Sequence, residues 1–282
     1  MEHVLISESI INSFVGAIAR YCGIKNKIKL SYIPDMIASF EEMGDRSFEI
    51  AYVEGASIFT APISSIYDIR SYAFYNYPKQ IWLSLPTVST VHANAFCLCA
   101  EPVTLNLPNL TSIDPYAFRS CYGLSTISFP KLNTVPSFAF MHCSYVTKAS
   151  LPLATSIGEK AFYGCVKLSE LYLPNVSTVE STAFTNCQDL ETVNIARLTE
   201  VPEYLFNHAS KLKTVTATYI EHIGSYAFAY CSSLEDLNSP LVSTVGSNAF
   251  YFCVSLPSIN FPYVRAIEDA AFEYCSALSY VN

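Results

Sequence analysis

The sequence predicts a β-rich solenoid of about ten 22-residue coils over residues 58–282, preceded by a small helical module. Three observations carry this. Phenylalanine recurs at Phe74, Phe96, Phe118, Phe140, Phe162, Phe184, Phe206, Phe228, Phe250 and Phe272, in steps of 22 without one insertion. Alanine precedes every one except Phe206, which follows Leu205. Other columns lock to the same phase, so the repeat is a structural unit rather than a dipeptide bias.

The elements follow in chain order. In residues 1–45, Ile10, Ile11, Phe14, Val15, Ile18 and Cys22 keep helical spacing, with Gly23 as the stop. A second helix is predicted over "SYIPDMIASFEEMG", with Ser31 as N-cap and Ile33, Ile37, Phe40 and Met43 on one face. The segment from Val15 to Phe40 resembles a short helical module at the N-termini of Firmicute and phage-encoded proteins. Two roles follow: a cap over the exposed apolar end of the first coil, or an attachment module docking the rod to a larger assembly. Residues 46–57 are expected to lead into a first, irregular coil.

Within a coil, "LSTISF" (Leu124 to Phe129) alternates apolar and polar and reads as a short strand. Neighbouring coils then pair their strands in parallel at about 4.8 Å, giving a rod of roughly 45–50 Å. Proline closes the strand at Pro86, Pro108, Pro130, Pro152, Pro174, Pro240 and Pro262, since it cannot donate a ladder bond. A second extended piece carries Ile or Val five residues before each Phe, from Ile69 and Val91 to Val245 and Ile267. The Ala-Phe segment is expected to form a single helical or 3₁₀ turn. Three residues beyond each Phe stands Cys99, Cys121, Cys143, Cys165, Cys187, Cys231, Cys253 or Cys275, with Tyr77 and Ala209 as exceptions. Leucine or valine follows six after the Phe, from Leu124 to Leu278. No 22-residue unit can bury its own apolar face; stacking fuses the columns into one core.

The combined pattern L-x-x-L-x-L-P … I-x-x-x-A-F-x-x-C resembles the BspA-like, or Treponema-type, leucine-rich repeat over about four-fifths of the chain, and Leu151 to Pro174 is a near-consensus copy. The resemblance implies a bacterial, often surface-exposed protein engaged in adhesion or protein recognition.

Composition excludes more than it assigns. The net charge of -8 argues against nucleic acid, which requires clustered Lys and Arg. Half the residues are apolar, yet no stretch approaches 18 consecutive apolar residues, so no transmembrane helix is expected. The N-terminus lacks the basic and apolar regions of a secretory signal. Ten cysteines invite a metal or disulfide reading, but one thiol per coil forms a line, whereas zinc needs four ligands converging on a point. The column is expected to be free structural thiols, with Cys97 a spare one. The five histidines fall in scattered phases, and no phosphate or dinucleotide loop is present. No enzyme activity and no cofactor are expected.

The outward strand positions form the candidate ligand-binding face: Trp82, Thr104, Asn106, Thr126, Lys148, Glu170, Tyr172, Thr192, Asn194, Thr214, Asp236, Asn238 and Asn260. Threonine also simply suits strands, so this ribbon reads either as solvation of a sheet or as an array recognising a protein or glycan. Trp82 and Tyr172 are the anchor candidates. A second patch, Tyr226, Tyr230, Tyr251, Phe252 and Tyr274, lies by the Ala-Phe turns. It is a candidate for self-association, as is the C-terminal end, which stops mid-repeat and is expected to be extended or covered. The leading function is a non-enzymatic binding module of bacterial surface type; the alternative is a phage or prophage structural or receptor-binding protein.

Overall fold

The computed structural model describes residues 67–281; the N-terminal helices, the residue 46–57 connection and the start of the first coil lie outside them. The described chain winds through about nine turns of a parallel β-solenoid. Each coil contributes two short strands, β1 (Asp68–Ile69) to β20 (Tyr280–Val281), which stack into two columns. The even-numbered column comprises β2 (Ile81–Ser84), β4 (Val103–Asn106), β6 (Thr126–Ser128), β8 (Lys148–Ser150), β10 (Glu170–Tyr172), β12 (Thr192–Asn194), β14 (Thr214–Thr216), β16 (Asp236–Asn238), β18 (Ser258–Ile259) and β20. The odd-numbered column comprises β1, β3 (Thr90–Val91), β5 (Ser112–Ile113), β7 (Thr134–Val135), β9 (Ser156–Ile157), β11 (Thr178–Val179), β13 (Glu200–Val201), β15 (His222–Ile223), β17 (Thr244–Val245) and β19 (Ala266–Ile267). Pairing is parallel and in register with the repeat, as in Val193↔Val215↔Leu237 and Ile223↔Val245↔Ile267.

The Phe rings form the spine of the core. From Phe74 to Phe272 each ring stacks on the next at 5.0–5.8 Å between centroids. From Phe96 to Phe250 they are fully buried. Thiols complete the column: Cys99, Cys143, Cys165, Cys187, Cys231, Cys253 and Cys275 each donate S–H to the Phe carbonyl of the preceding coil at 2.9–3.3 Å. A cysteine fits here because it fills a small apolar space and still supplies a donor to a buried carbonyl.

The expected helical turn is not a helix. Around Phe162, Ala161, Tyr163 and Cys165 donate back to Gly158, Lys160 and Phe162, three residues earlier. The alternate amides of Lys160, Phe162 and Gly164 donate to Ser181, Ala183 and Thr185 of the next coil. The segment is thus a run of β-turns whose every second N–H points along the rod, which an α or 3₁₀ helix cannot provide because all its amides bond within the chain segment. The geometry requires left-handed backbone two residues before and two after each Phe, for example Lys160 (φ 53°) and Gly164 (φ 72°). Gly164 is the only glycine among these positions in the described residues; Tyr, Phe, His, Asn, Thr and Lys fill others. Each non-glycine there carries roughly 1–2 kcal/mol of strain, offset by the inter-coil bond that the conformation permits.

Three prolines interrupt the ladders, each at a position whose N–H would donate to the previous coil. In the odd column, the residue four before each Phe donates to the previous coil, as Gly158 N does to Val135 O (2.8 Å) and Gly224 N to Val201 O (2.8 Å). Pro136 and Pro202 occupy this position, and the odd column is broken at β5/β7 and β11/β13. In the even column the donor is seven after the Phe, as in Thr147 N to Ser125 O (2.9 Å). Pro257 stands there and β16 does not pair with β18.

One joint combines several losses. Between β10/β11 (Glu170–Tyr172, Thr178–Val179) and β12/β13 (Thr192–Asn194, Glu200–Val201) neither column pairs. Leu171, Leu173 and Val179 are only partly buried there. Ala209 replaces the thiol that would bond the Phe184 carbonyl, and Phe184–Phe206 is the widest step of the spine at 5.8 Å. The coils remain joined at the turn edge by Thr182, Phe184 and Asn186 amides donating to Glu203, Leu205 and Asn207 (3.1, 3.1 and 2.7 Å). At this joint the coils are held along the turn edge and not by strand pairing.

Candidate recognition face

The even strands place every predicted face residue on the outside: Trp82, Thr104, Asn106, Thr126, Lys148, Glu170, Tyr172, Thr192, Asn194, Thr214, Asp236, Asn238 and Asn260 are all exposed. The cause is the strand period of two. Ile127, Ala149 and Val193 between them point inward and are buried.

Register aligns the face residues in rows, Thr126↔Lys148↔Glu170 and Ser128↔Ser150↔Tyr172, then Thr192↔Thr214↔Asp236 and Asn194↔Thr216↔Asn238. The ladder interruptions divide the face into facets: β2–β4, β6–β8–β10, β12–β14–β16 and β18–β20. Trp82 (46% exposed) lies on the first facet and Tyr172 (57% exposed) at the edge of the second, beside the open joint. Four coils separate them, roughly 19 Å at the strand spacing. Both stand on the outward side of the even strands.

Some face groups are already engaged. Asn106 Nδ2 donates to Ser84 Oγ (2.9 Å), and Lys148 Nζ pairs with Glu170. These contacts are exposed and follow the 22-residue offset, so they contribute little stability. The hydroxyls of Thr104, Thr126, Thr192 and Thr214 keep their capacity for an external partner, since no side-chain hydrogen bond ties them among the described residues. One row nearer the turn, Thr147 and Ser169 hydroxyls donate to the carbonyl one coil back (3.3 and 3.2 Å).

The cysteines behave as packing groups. Burial pushes the thiols of Cys143, Cys165 and Cys253 well above the ordinary range, and that of Cys187 up to about 12. The thiolate is the reactive form. In native protein at neutral pH, mass-spectrometric mapping of iodoacetamide adducts is expected to find the partly exposed Cys275 modified first among the nine described cysteines, and Cys143, Cys165 and Cys187 modified only after denaturation. Fast native labelling of mid-rod thiols would refute their placement.

One arrangement is absent from the sequence reading. His92 Nδ1 lies 2.9 Å from Asp114 Oδ2 and its Nε2 3.3 Å from Asp68 Oδ2, so one imidazole bridges carboxylates of the coils on either side. The available signal was the 22-residue interval between His92 and Asp114. Arg70 contacts the same Asp68 at 3.4 Å. The arrangement clamps adjacent coils. Among the described residues, no three His, Cys, Asp or Glu side chains converge as a metal site would require, and no helix is long and apolar enough to cross a membrane.

The aromatic edge is ordered. Tyr204 stacks on Tyr226 at 4.9 Å and His208 on Tyr230 at 4.3 Å. Tyr251 meets Tyr230 and Tyr274 edge-on at 5.4 and 5.3 Å.

Comparison with known proteins agrees with this architecture. A family profile described as the BspA type leucine rich repeat region, in six copies, matches residues 67–175 and 155–279. Among solved structures, a T. pallidum leucine-rich repeat protein shares 22% identity, covering 70% of this chain and 86% of that one with a TM-score of 0.52. A Eubacterium ventriosum leucine-rich repeat protein shares 20% over 77% and 82% of the two chains, with a TM-score of 0.49. A leucine-rich cell surface protein of Faecalibacterium prausnitzii shares 20% over 82% and 85%, with a TM-score of 0.42. Of these three, the T. pallidum protein alone exceeds a TM-score of 0.5, and at 22% identity it supports the fold and nothing more. No curated protein matches the chain.

Proposed function

The chain belongs to the BspA-type leucine-rich repeat family, and from that premise we propose that it is a non-enzymatic recognition module of bacterial surface type, whose even-strand face binds a protein or glycan. The observation that carries the choice of face is its regularity. Nowhere else among the described residues do exposed side chains stand in rows on paired strands two residues deep. Side chains held by a rigid ladder lose little freedom on binding, which favours affinity per contact. Trp82 and Tyr172 supply large, rigid surfaces of the kind that anchor interfaces. Residues 1–45 are assigned, in the same proposal, to capping the first coil or attaching the rod.

The purified full chain probed on arrays of glycans and of host surface proteins identifies the ligand. Trp82→Ala combined with Tyr172→Ala is expected to weaken that binding at least about tenfold, as loss of interface anchors does, while the melting temperature moves by only a few degrees. Binding that survives this pair and is lost with Tyr251→Ala and Tyr274→Ala would move the interface to the turn edge.

A further inference from the structure

The turn edge carries two aromatic stacks in equivalent places, four coils apart, and the chain fills only one of them. In the first, Tyr116 and Phe138 stack at 4.9 Å. Arg119, one residue beyond Phe118, lies with its guanidinium 5.9 Å from the Tyr116 ring, and Lys160, two before Phe162, holds its ammonium 5.6 Å from the Phe138 ring. The stack is therefore closed by a cation at each end, an attraction between positive charge and ring quadrupole.

The second stack repeats the geometry without the cations. Tyr204 and Tyr226 stack at 4.9 Å with ring planes 2° apart. The positions equivalent to Arg119 and Lys160 hold Asn207 and Asn248. Asn207 is only 7% exposed as a residue, but its side-chain amide is not a fully buried group and reaches the surface. An amide at the surface is open to a hydrogen-bond partner from outside the chain. Ala229, next in the same column, is fully buried but lies outside the Phe-centred core cluster. In each turn this column falls between the residues of two ring stacks, Tyr204–Tyr226 before it and His208–Tyr230 after it, which together form the aromatic edge.

Charge selects the occupant. From four residues before to four after each of Phe206, Phe228, Phe250 and Phe272 there is no Lys or Arg, whereas Glu203, Glu268, Asp269 and Glu273 are present and exposed. A cation reaching this edge meets ring electrons and carboxylates and no competing cation of the chain. A guanidinium also matches this edge, since its fork of N–H donors can lie flat on a Tyr ring and donate to the Asn207 amide oxygen.

We propose that this edge docks an arginine-bearing segment of a partner protein, the guanidinium taking at Tyr204, Tyr226 and Asn207 the place that Arg119 takes at Tyr116. The site is separate from the strand face and does not depend on it. Calorimetric titration of the full chain with a short alternating Gly-Arg peptide, and with the same peptide carrying neutral citrulline for arginine, tests the assignment. The arginine peptide is expected to bind at least about tenfold more tightly than the citrulline peptide. Asn207→Arg restores the chain's own cation and is expected to block binding; Tyr226→Leu, which keeps an apolar side chain, is expected to weaken it by about tenfold or more. Equal affinity for the two peptides, no binding of either, or binding unchanged in both variants would overturn the proposal. Preference for a Gly-Lys peptide, or for tetramethylammonium, would overturn the guanidinium assignment. Concentration-dependent dimerisation lost in Asn207→Arg would replace the partner with a second copy of this chain.

Discussion

Phe162→Ala is expected to destabilise the rod by about 3–5 kcal/mol, the range for removing a fully buried aromatic side chain. The value should lie toward the upper end, because the ring is fully buried and stacks at 5.3 Å on both Phe140 and Phe184, and each aromatic pair adds about 0.5–1.5 kcal/mol beyond its buried area. The void is bounded by other coils of the same spine, which cannot collapse without drawing their strand ladders out of register. Thr192→Ala is the control. Thr192 is an exposed ladder residue, and its truncation is expected to change stability by under about 0.5 kcal/mol. Urea unfolding followed by circular dichroism measures both. Since each coil contacts only its neighbours, Phe162→Ala should also broaden or split the transition. Comparable midpoints for the two variants would mean that the assignment of inward and outward positions is wrong.

The inward and outward phase was legible because a solenoid repeats the same decision at every coil. One period places Phe, Cys and Leu together, and strand alternation then exposes Trp82 and Tyr172. The turn conformation was not legible. Left-handed backbone is normally signalled by glycine, and here Tyr, Phe, Lys and Thr take it at the turns with Gly164 alone matching the signal. Their strain is offset by bonds to the neighbouring coil, which cannot be seen from the local sequence. The ladder breaks occupy a middle position. Pro136, Pro202 and Pro257 were visible, but their effect follows only once the structure shows which amide of each coil donates to the previous one. The aromatic edge was half legible: the patch was evident, whereas the equivalence of Asn207 with Arg119 acquires meaning only when the rings beside them are seen to stack.

The same limit applies to Gly123, whose replacement by alanine is expected to be the most damaging glycine substitution in the described rod. The preceding coil departs from the repeat. Where the later coils carry Leu or Val six residues after the Phe, it carries Pro102, which is exposed. Val103 is buried in its stead and bridges Leu124 one residue out of register. This shift brings the Glu101 carbonyl against the Cα of Gly123, where a Cβ would fall inside the carbonyl oxygen. Both atoms in conflict are backbone, so no side-chain rotation relieves it. Gly123 is also held from both sides, its N–H donating to Cys99 O (2.9 Å) and its carbonyl accepting from Val103 N (2.8 Å). Separating the coils enough to admit a methyl group breaks these two bonds, worth about 1 kcal/mol each, and adds the overpacking penalty of about 1–3 kcal/mol. Gly123→Ala should therefore lower stability by about 3 kcal/mol or more in urea unfolding. The neighbouring Tyr122→Ala, which trims an exposed ring, should change it by under about 0.5 kcal/mol. A well-folded Gly123→Ala protein of unchanged midpoint would show that the Pro102 coil does not approach its neighbour as closely as the Glu101–Gly123 contact requires.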